Sequence, residues 1–438
     1  GTYNWFFPTG TTAVLSGRWN DQARLQLSRG AVAWVSAADA VPLAAGTPPP
    51  GGAVGSVRLQ AGPTSVTLRV PLPGKLPFLV TEQERSLALR IYGAASNINW
   101  MQYGRTDPLV TRMTYAQPAA DEVTITLELS RRVWGYRTRF EGRDLLVEVR
   151  RPPPIDARHP LRGRTIVLDP GHPPLGAKGP TGLWEPVATL AVAHKAKQLL
   201  ERAGATVLLT RTGPAPVDLF PRTHFAELHD ADVLVSIHAN ALPDGMNPFV
   251  NNGTSVYYFQ PRSAALAREL DRALVAELGV RDLGMGRGDY ALVRPTWMPS
   301  ALTEALFIII PEQEALLASD CGMSRMRNAE FGMRNVRVGV LGRTTLPCNC
   351  AFRNPHSAFF FHSAFRISHS AFSFWSCSPG APFPKSIRPG AGAPCTPRIS
   401  GSTSDRSIAS WRCSKPARRS AHTGSSPPSS TRRARSWT

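Results

Sequence analysis

The chain of 438 residues has room for two to three domains of roughly 150 residues each, and no apolar run reaches the ~18 residues of a membrane span. Its net charge of +19 invites a nucleic-acid partner, yet residues 321–438 hold 18 Lys and Arg against 2 Asp and Glu, leaving 32 against 29 before them. The basicity is confined to the tail, as are all six cysteines, so the body argues against nucleic-acid binding and suits an exported protein that avoids stray thiols. The chain opens at Gly1 with no basic-then-apolar leader, as expected of a processed product or of a sequence lacking its targeting segment.

Residues 1–45 read as short strands: AVLSGRW, ARLQLSRG and AVAWVSAADAVPL. Trp34-Val35 and the following Ala37-Ala38-Asp39-Ala40-Val41 resemble the last strands of a bacterial SH3-like barrel, so a partial β-module is expected. GTPPPGGAVG, residues 46–55, reads as a linker, because its prolines and glycines cannot continue a ladder. From 56 to 151, period-two alternation recurs in SVRLQAG, SVTLRVPL, SLALRIYG, EVTITLELS and DLLVEVRR. Such runs between turns predict an antiparallel sandwich. It resembles the AMIN-type β-domains that precede cell-wall amidases.

After RPPP the pattern changes, and residues 160–320 alternate strands with helices. TIVLDP is a strand; EPVATLAVAHKAKQLLERAG is a helix with Pro186 in its first turn and Gly204 at its end. TVLLTR, VLVSIHAN, TSVYYFQ, YALVRP and ALTEALFIII read as strands, LFPRTHFAELHDA and SAALARELDRALVAELG as helices. The expected fold is α/β, a mainly parallel sheet with helices on both faces. Ligands of such sheets bind beyond the carboxyl ends of the strands.

TIVLDPGHPP then raises a question, since a strand runs straight into a loop carrying His172. A lone histidine there is ordinarily a turn residue. His238 ends a second strand, however, and parallel strands bring both ends to one rim. Glu185, at the start of the intervening helix, stands on the same rim. Alone it reads as a carboxylate favoured by the helix dipole. Together, two histidines and a carboxylate fit a zinc site with one open position. Glu304 lies inside the apolar run ALTEALFIII, where an ionised carboxylate is costly without a partner; it reads as a sheet-edge glutamate or as a general base and acid. Asp169 reads as a strand-end turn carboxylate or as a group orienting a ligand.

IVLDPGH with GAKGPTGLWE, then LLTR, VLVSIHANA, GTSVYYF and PSALTEALFI, in this order, resemble the zinc-dependent N-acetylmuramoyl-L-alanine amidases of bacterial cell-wall turnover. The resemblance covers residues 164 to about 318. It implies His172, Glu185 and His238 as ligands of one Zn2+ and Glu304 as the catalytic glutamate, with Asp169, Asn240 and Arg222 in supporting or substrate-contacting positions. It also implies peptidoglycan as substrate, the amide between muramic acid and L-alanine as the scissile bond, and an exported protein in the periplasm or cell-wall space. A cell-wall or regulatory partner through the β-domains is expected. Another zinc peptidase acting on stem peptides, or a silent wall-binding protein, would be the rival readings. Pro173-Pro174 depart from the usual glycines after the loop histidine, and Ile309-Ile310-Pro311 from a more polar turn; neither removes a ligand.

The resemblance stops near Ser319-Asp320. HSAF occurs three times between 356 and 372, and MRNAEFG at 326–332 precedes MRNVRVG. Residues 321–438 therefore read as a low-complexity, disordered or aberrant tail, out-of-frame text from an inverted repeat. A sheet without a covering helix there is expected to leave an apolar face bare.

Overall fold

A computed structural model of the chain describes residues 7–104 and 107–331. Three antiparallel strands come first, Val14–Trp19, Gln22–Gln26 and Val32–Ser36. Two further sheets share one apolar core. The first orders Met101–Tyr103, Val57–Ala61, Ser65–Val70, Asp144–Arg150 and Gly135–Glu141; the second orders Val110–Ala119, Glu122–Leu129, Ser86–Tyr92 and Phe78–Glu82. Alternate residues Val66, Leu68 and Val70 of one sheet and Leu87, Leu89 and Ile91 of the other are buried, as a period of two demands when one face meets the core.

The second half is the α/β unit. Its elements are β1 (Thr165–Pro170), α1 (Glu185–Arg202), β2 (Thr206–Leu209), α2 (Leu219–Leu228), β3 (Val233–Asn240), β4 (Thr254–Tyr258), α3 (Ala264–Leu278), β5 (Asp282–Arg287), β6 (Ser300–Phe307), α4 (Pro311–Ala318) and α5 (Asp320–Phe331). The sheet order is β2-β1-β3-β6-β4-β5. The first four strands are mutually parallel, β4 runs antiparallel to β6, and β5 is parallel to β4. Helices cover both faces. Ile166, Leu168, Val235 and Ile237 pack with α1 and α3, whereas Val167 and Leu234, one residue out of phase, pack with Ala226 of α2.

Four local expectations shift. Gly52–Val54, inside the expected linker 46–55, pairs in parallel with Ala94–Ser96, and Val54 is buried in the sandwich core. YALVRP forms a 3-10 turn at Ala291–Val293 instead of a strand; a short apolar run does not distinguish the two, and Leu292 is buried with Ala226 of α2. DLGMGR, whose glycines obscure any alternation, forms β5. The ordered fold also passes the expected end at 320. Ser319 Oγ accepts a bond from Gly322 N at 2.9 Å, and α5 places Met323 and Met326 against the core of α1 and α3. The helix expected to be missing is supplied by these methionines, three residues apart on one helical face. The remaining tail, 332–438, lies outside the described residues.

The sandwich is fastened to the amino-terminal ends of the sheet strands. Trp134 Nε1 donates to Asp232 O at 2.9 Å, and Arg150 binds Asp232 Oδ1 at 2.7 Å, just before β3. Tyr136 N donates to Thr296 O at 2.7 Å, just before β6. The Trp297 ring meets the guanidinium groups of Arg137 and Arg150 at 4.1 and 5.1 Å. Glu82 and Arg262 form an ion pair with side chains 2% and 1% exposed. Removing one member leaves the other charged, buried and unpaired, at a cost of about 3–5 kcal/mol. Glu82→Ala is thus expected to lower the unfolding free energy by about that amount in denaturant titration; a loss below about 1 kcal/mol would show that the pair does not secure the junction.

Candidate metal centre

β1 ends at Pro170, and the chain turns at Gly171, whose N–H donates to Ile237 O of β3 at 2.9 Å. Only glycine fits there: a Cβ would lie 2.4 Å from the His238 ring. The next residue, His172, adopts φ +58, a left-handed conformation that costs a non-glycine residue energy unless its surroundings impose it. That conformation turns its imidazole toward β3. The His172 and His238 rings stand 5.0 Å apart at 83°.

Glu185, at the first position of α1 and 3% exposed, lies between them. Its Oε2 is 3.3 Å from His172 Nε2, and its Oε1 is 3.1 Å from His238 Nδ1. One donor atom from each of the three residues lies within 4.8 Å of the others. Tetrahedral zinc, with ligands at about 2.0–2.1 Å, sets ligand atoms about 3.3 Å apart, so these residues fit the ion. The outer contacts fit too. His172 Nδ1 lies 3.2 Å from Pro174 O, the kind of carbonyl contact that fixes a metal-binding tautomer. Ala177 N and Ala239 N each donate to the Glu185 carboxylate at 3.1 Å.

The electrostatics separate the groups. Burial pushes His172 down, against the pull of Glu185. Burial acts against the Glu185 carboxylate, but the hydrogen bond from His238 and the two imidazoles outweigh it and hold its pKa low. Burial likewise acts against charged His238, yet the bond to Glu185 and nearby Glu304 carry its pKa up. Glu304 is in register with His238 on the neighbouring strand, so both side chains leave the sheet on one face. Its Oε2 is buried without a hydrogen-bond partner, and burial pushes its carboxyl up to about 7.

Two arginines brace the turn that carries His172. Arg222 donates to Asp169 Oδ1 at 2.9 Å and to the carbonyls of Pro170, His172 and Pro173 at 2.8, 2.9 and 2.8 Å. Arg211 donates to Pro170 O at 2.9 Å, Gly171 O at 3.0 Å and Pro186 O at 2.7 Å. Burial, with Arg222 nearby, lowers Arg211 to about 10, which leaves it charged near neutrality. Asp169, 1% exposed, accepts bonds from Arg222 and from Ser236 Oγ at 2.6 Å. It thus reaches His172 through Arg222. Asn240 contributes its carbonyl, which accepts a bond from Ile308 N at 2.9 Å. The role of Arg211 was missed from sequence; its signal was the arginine closing LLTR, a charge at the end of an apolar strand.

Two imidazoles from the carboxyl-end rim of parallel strands and a carboxylate from the start of α1, beside Glu304, form a group that could hold a metal ion. Residues 166–331 match the family model described as N-acetylmuramoyl-L-alanine amidase, and this part of the chain belongs to that family. The chain is 34% identical over 163 residues to a probable cell wall amidase, LytH, of Staphylococcus epidermidis, covering 36% of this chain and 53% of that one. It is 36% identical over 157 residues to the N-acetylmuramoyl-L-alanine amidase LytC of Bacillus subtilis, covering 34% and 31%. It thus spans about half the length of the first relative and about a third of the second. Among solved structures, it is similar to the catalytic domain of CwlV, an N-acetylmuramoyl-L-alanine amidase from Bacillus (Paenibacillus) polymyxa var. colistinus. That match has 30% identity and a TM-score of 0.37, over 39% of this chain and 96% of that one.

Proposed function

We propose that this protein hydrolyses the amide between N-acetylmuramic acid and L-alanine in peptidoglycan, using one zinc ion held by His172, Glu185 and His238. The convergence of those three donors beside Glu304 is the observation that carries the reading. Zinc bound there would supply Lewis acidity toward the amide carbonyl and make water a competent nucleophile near neutral pH. Glu304 takes the proton from the attacking water and returns it to the leaving L-alanine nitrogen. Its orphan Oε2 leaves one oxygen free for that transfer. Arg211, Arg222 and Asp169 hold the turn of His172, so the imidazole does not reorganise as charge develops.

The place of action is the cell envelope, the periplasm or cell-wall space, and the β-domains serve a wall or regulatory partner. No helix among the described residues is long and apolar enough to cross a membrane. The test is mass spectrometry of purified peptidoglycan incubated with the chain and zinc. Stem peptides with a free L-alanine amine, and glycan with free lactyl carboxyls, are expected. Cuts between stem amino acids would show a peptidase instead, and unaltered peptidoglycan would favour a silent wall-binding protein.

A further inference from the structure

Glu185 reaches the centre from a loop, residues 176–184, with little regular structure to fix it. Gly176 and Gly182 carry φ +112 and +93. Within the loop an isolated bridge joins Lys178 to Trp184, and Gly179 N donates to Leu183 O at 2.9 Å. The anchor comes from far along the chain. Glu314, in the first turn of α4 and 1% exposed, accepts bonds from Thr181 N at 2.9 Å, Thr181 Oγ1 at 2.9 Å and Leu183 N at 3.1 Å. Those bonds hold its carboxyl below the usual range despite burial. The loop wraps it so closely that a Cβ on Gly179 would lie 2.3 Å from its carboxyl carbon.

The preceding residue anchors the opposite side. Gln313 Oε1 accepts a bond from Phe307 N at 2.6 Å, at the end of β6. Its Nε2 donates to Asn252 Oδ1 at 2.8 Å, in the segment that follows the strand of His238. One short helix thereby ties together the segments that flank the three donors.

We infer that Glu314 is a positioning residue for the metal centre, setting where Glu185 stands by gripping Thr181 and Leu183. The inference rests on His172, Glu185 and His238 being the zinc ligands. A residue serving only fold stability would change melting and leave metal affinity alone, so affinity is the deciding readout. In the full chain, Glu314→Gln turns an amide NH2 toward N–H donors and frees the loop. Its zinc Kd, measured by chelator competition, is expected to rise roughly 10–100-fold, as on loss of outer-shell partners. Amide exchange at Thr181 and Leu183 should quicken, and exchange at Val123–Leu127 should not change. Thr181→Ala, an exposed position that keeps the fold, removes one of the bonds and should raise Kd in the same direction by less. Glu314→Asp, which keeps the charge, should recover part of the affinity. A folded Glu314→Gln chain with wild-type zinc affinity would overturn the inference. If that variant does not fold, unchanged affinity in Thr181→Ala overturns it. A wild-type chain that takes up no zinc would overturn the reading of the centre itself, and this inference with it.

Discussion

Glu304→Gln is expected to lower turnover of a muramyl peptide by roughly 10²–10⁴-fold, the usual contribution of a general acid–base group, while zinc stays bound. The substitution keeps shape and volume, so β6 and its packing should persist. What it removes is a carboxylate that can accept and return a proton. Glu304 stands outside the three-residue donor set, on the adjoining strand in register with His238. Turnover at saturating zinc and metal content measured on one preparation check both halves. If Glu304→Gln loses the metal while Glu185→Ala retains it, the two glutamates have exchanged roles.

His238→Ala should reduce zinc content from about one ion per chain, as a single site predicts, to near zero, and His172→Ala should do the same. Each removes a donor directly, so the loss of affinity should exceed the roughly 10–100-fold effect of an outer partner. His238→Ala has a further effect, because Glu185 Oε1 loses the imidazole 3.1 Å away and keeps only Ala239 N, with His172 still beside Oε2. That variant should therefore also melt earlier than His172→Ala, whose ring is more exposed. Metal analysis with thermal melting reads both effects. Full zinc retention in both variants, or two ions per wild-type chain, would sink the assignment.

By itself the sequence determined the strand–helix alternation, the two-sided sheet and the motifs that end in His172, Glu185, His238 and Glu304. The reason is local. Apolar period and turn chemistry specify each element, and a strand that stops at a glycine and a histidine announces a rim. The sandwich was legible for the same reason, since alternation such as SVTLRV survives without knowledge of the partner strand.

Tertiary structure decided what depended on partners far along the chain. YALVRP has strand composition, yet packing against α2 makes it a turn, and residues 321–331 read as aberrant text until Met323 and Met326 find the core of α1 and α3. Asp169 reads as a turn carboxylate or as a group orienting a ligand, and only the fold shows that Arg222, from fifty-three residues on, stands between it and His172. Glu314 gave no local sign of its work, and Arg211 only that of a charge closing an apolar strand. Their value lies in hydrogen bonds to backbone groups 40 and 133 residues away, and a backbone N–H or carbonyl carries no mark in a sequence of who will satisfy it.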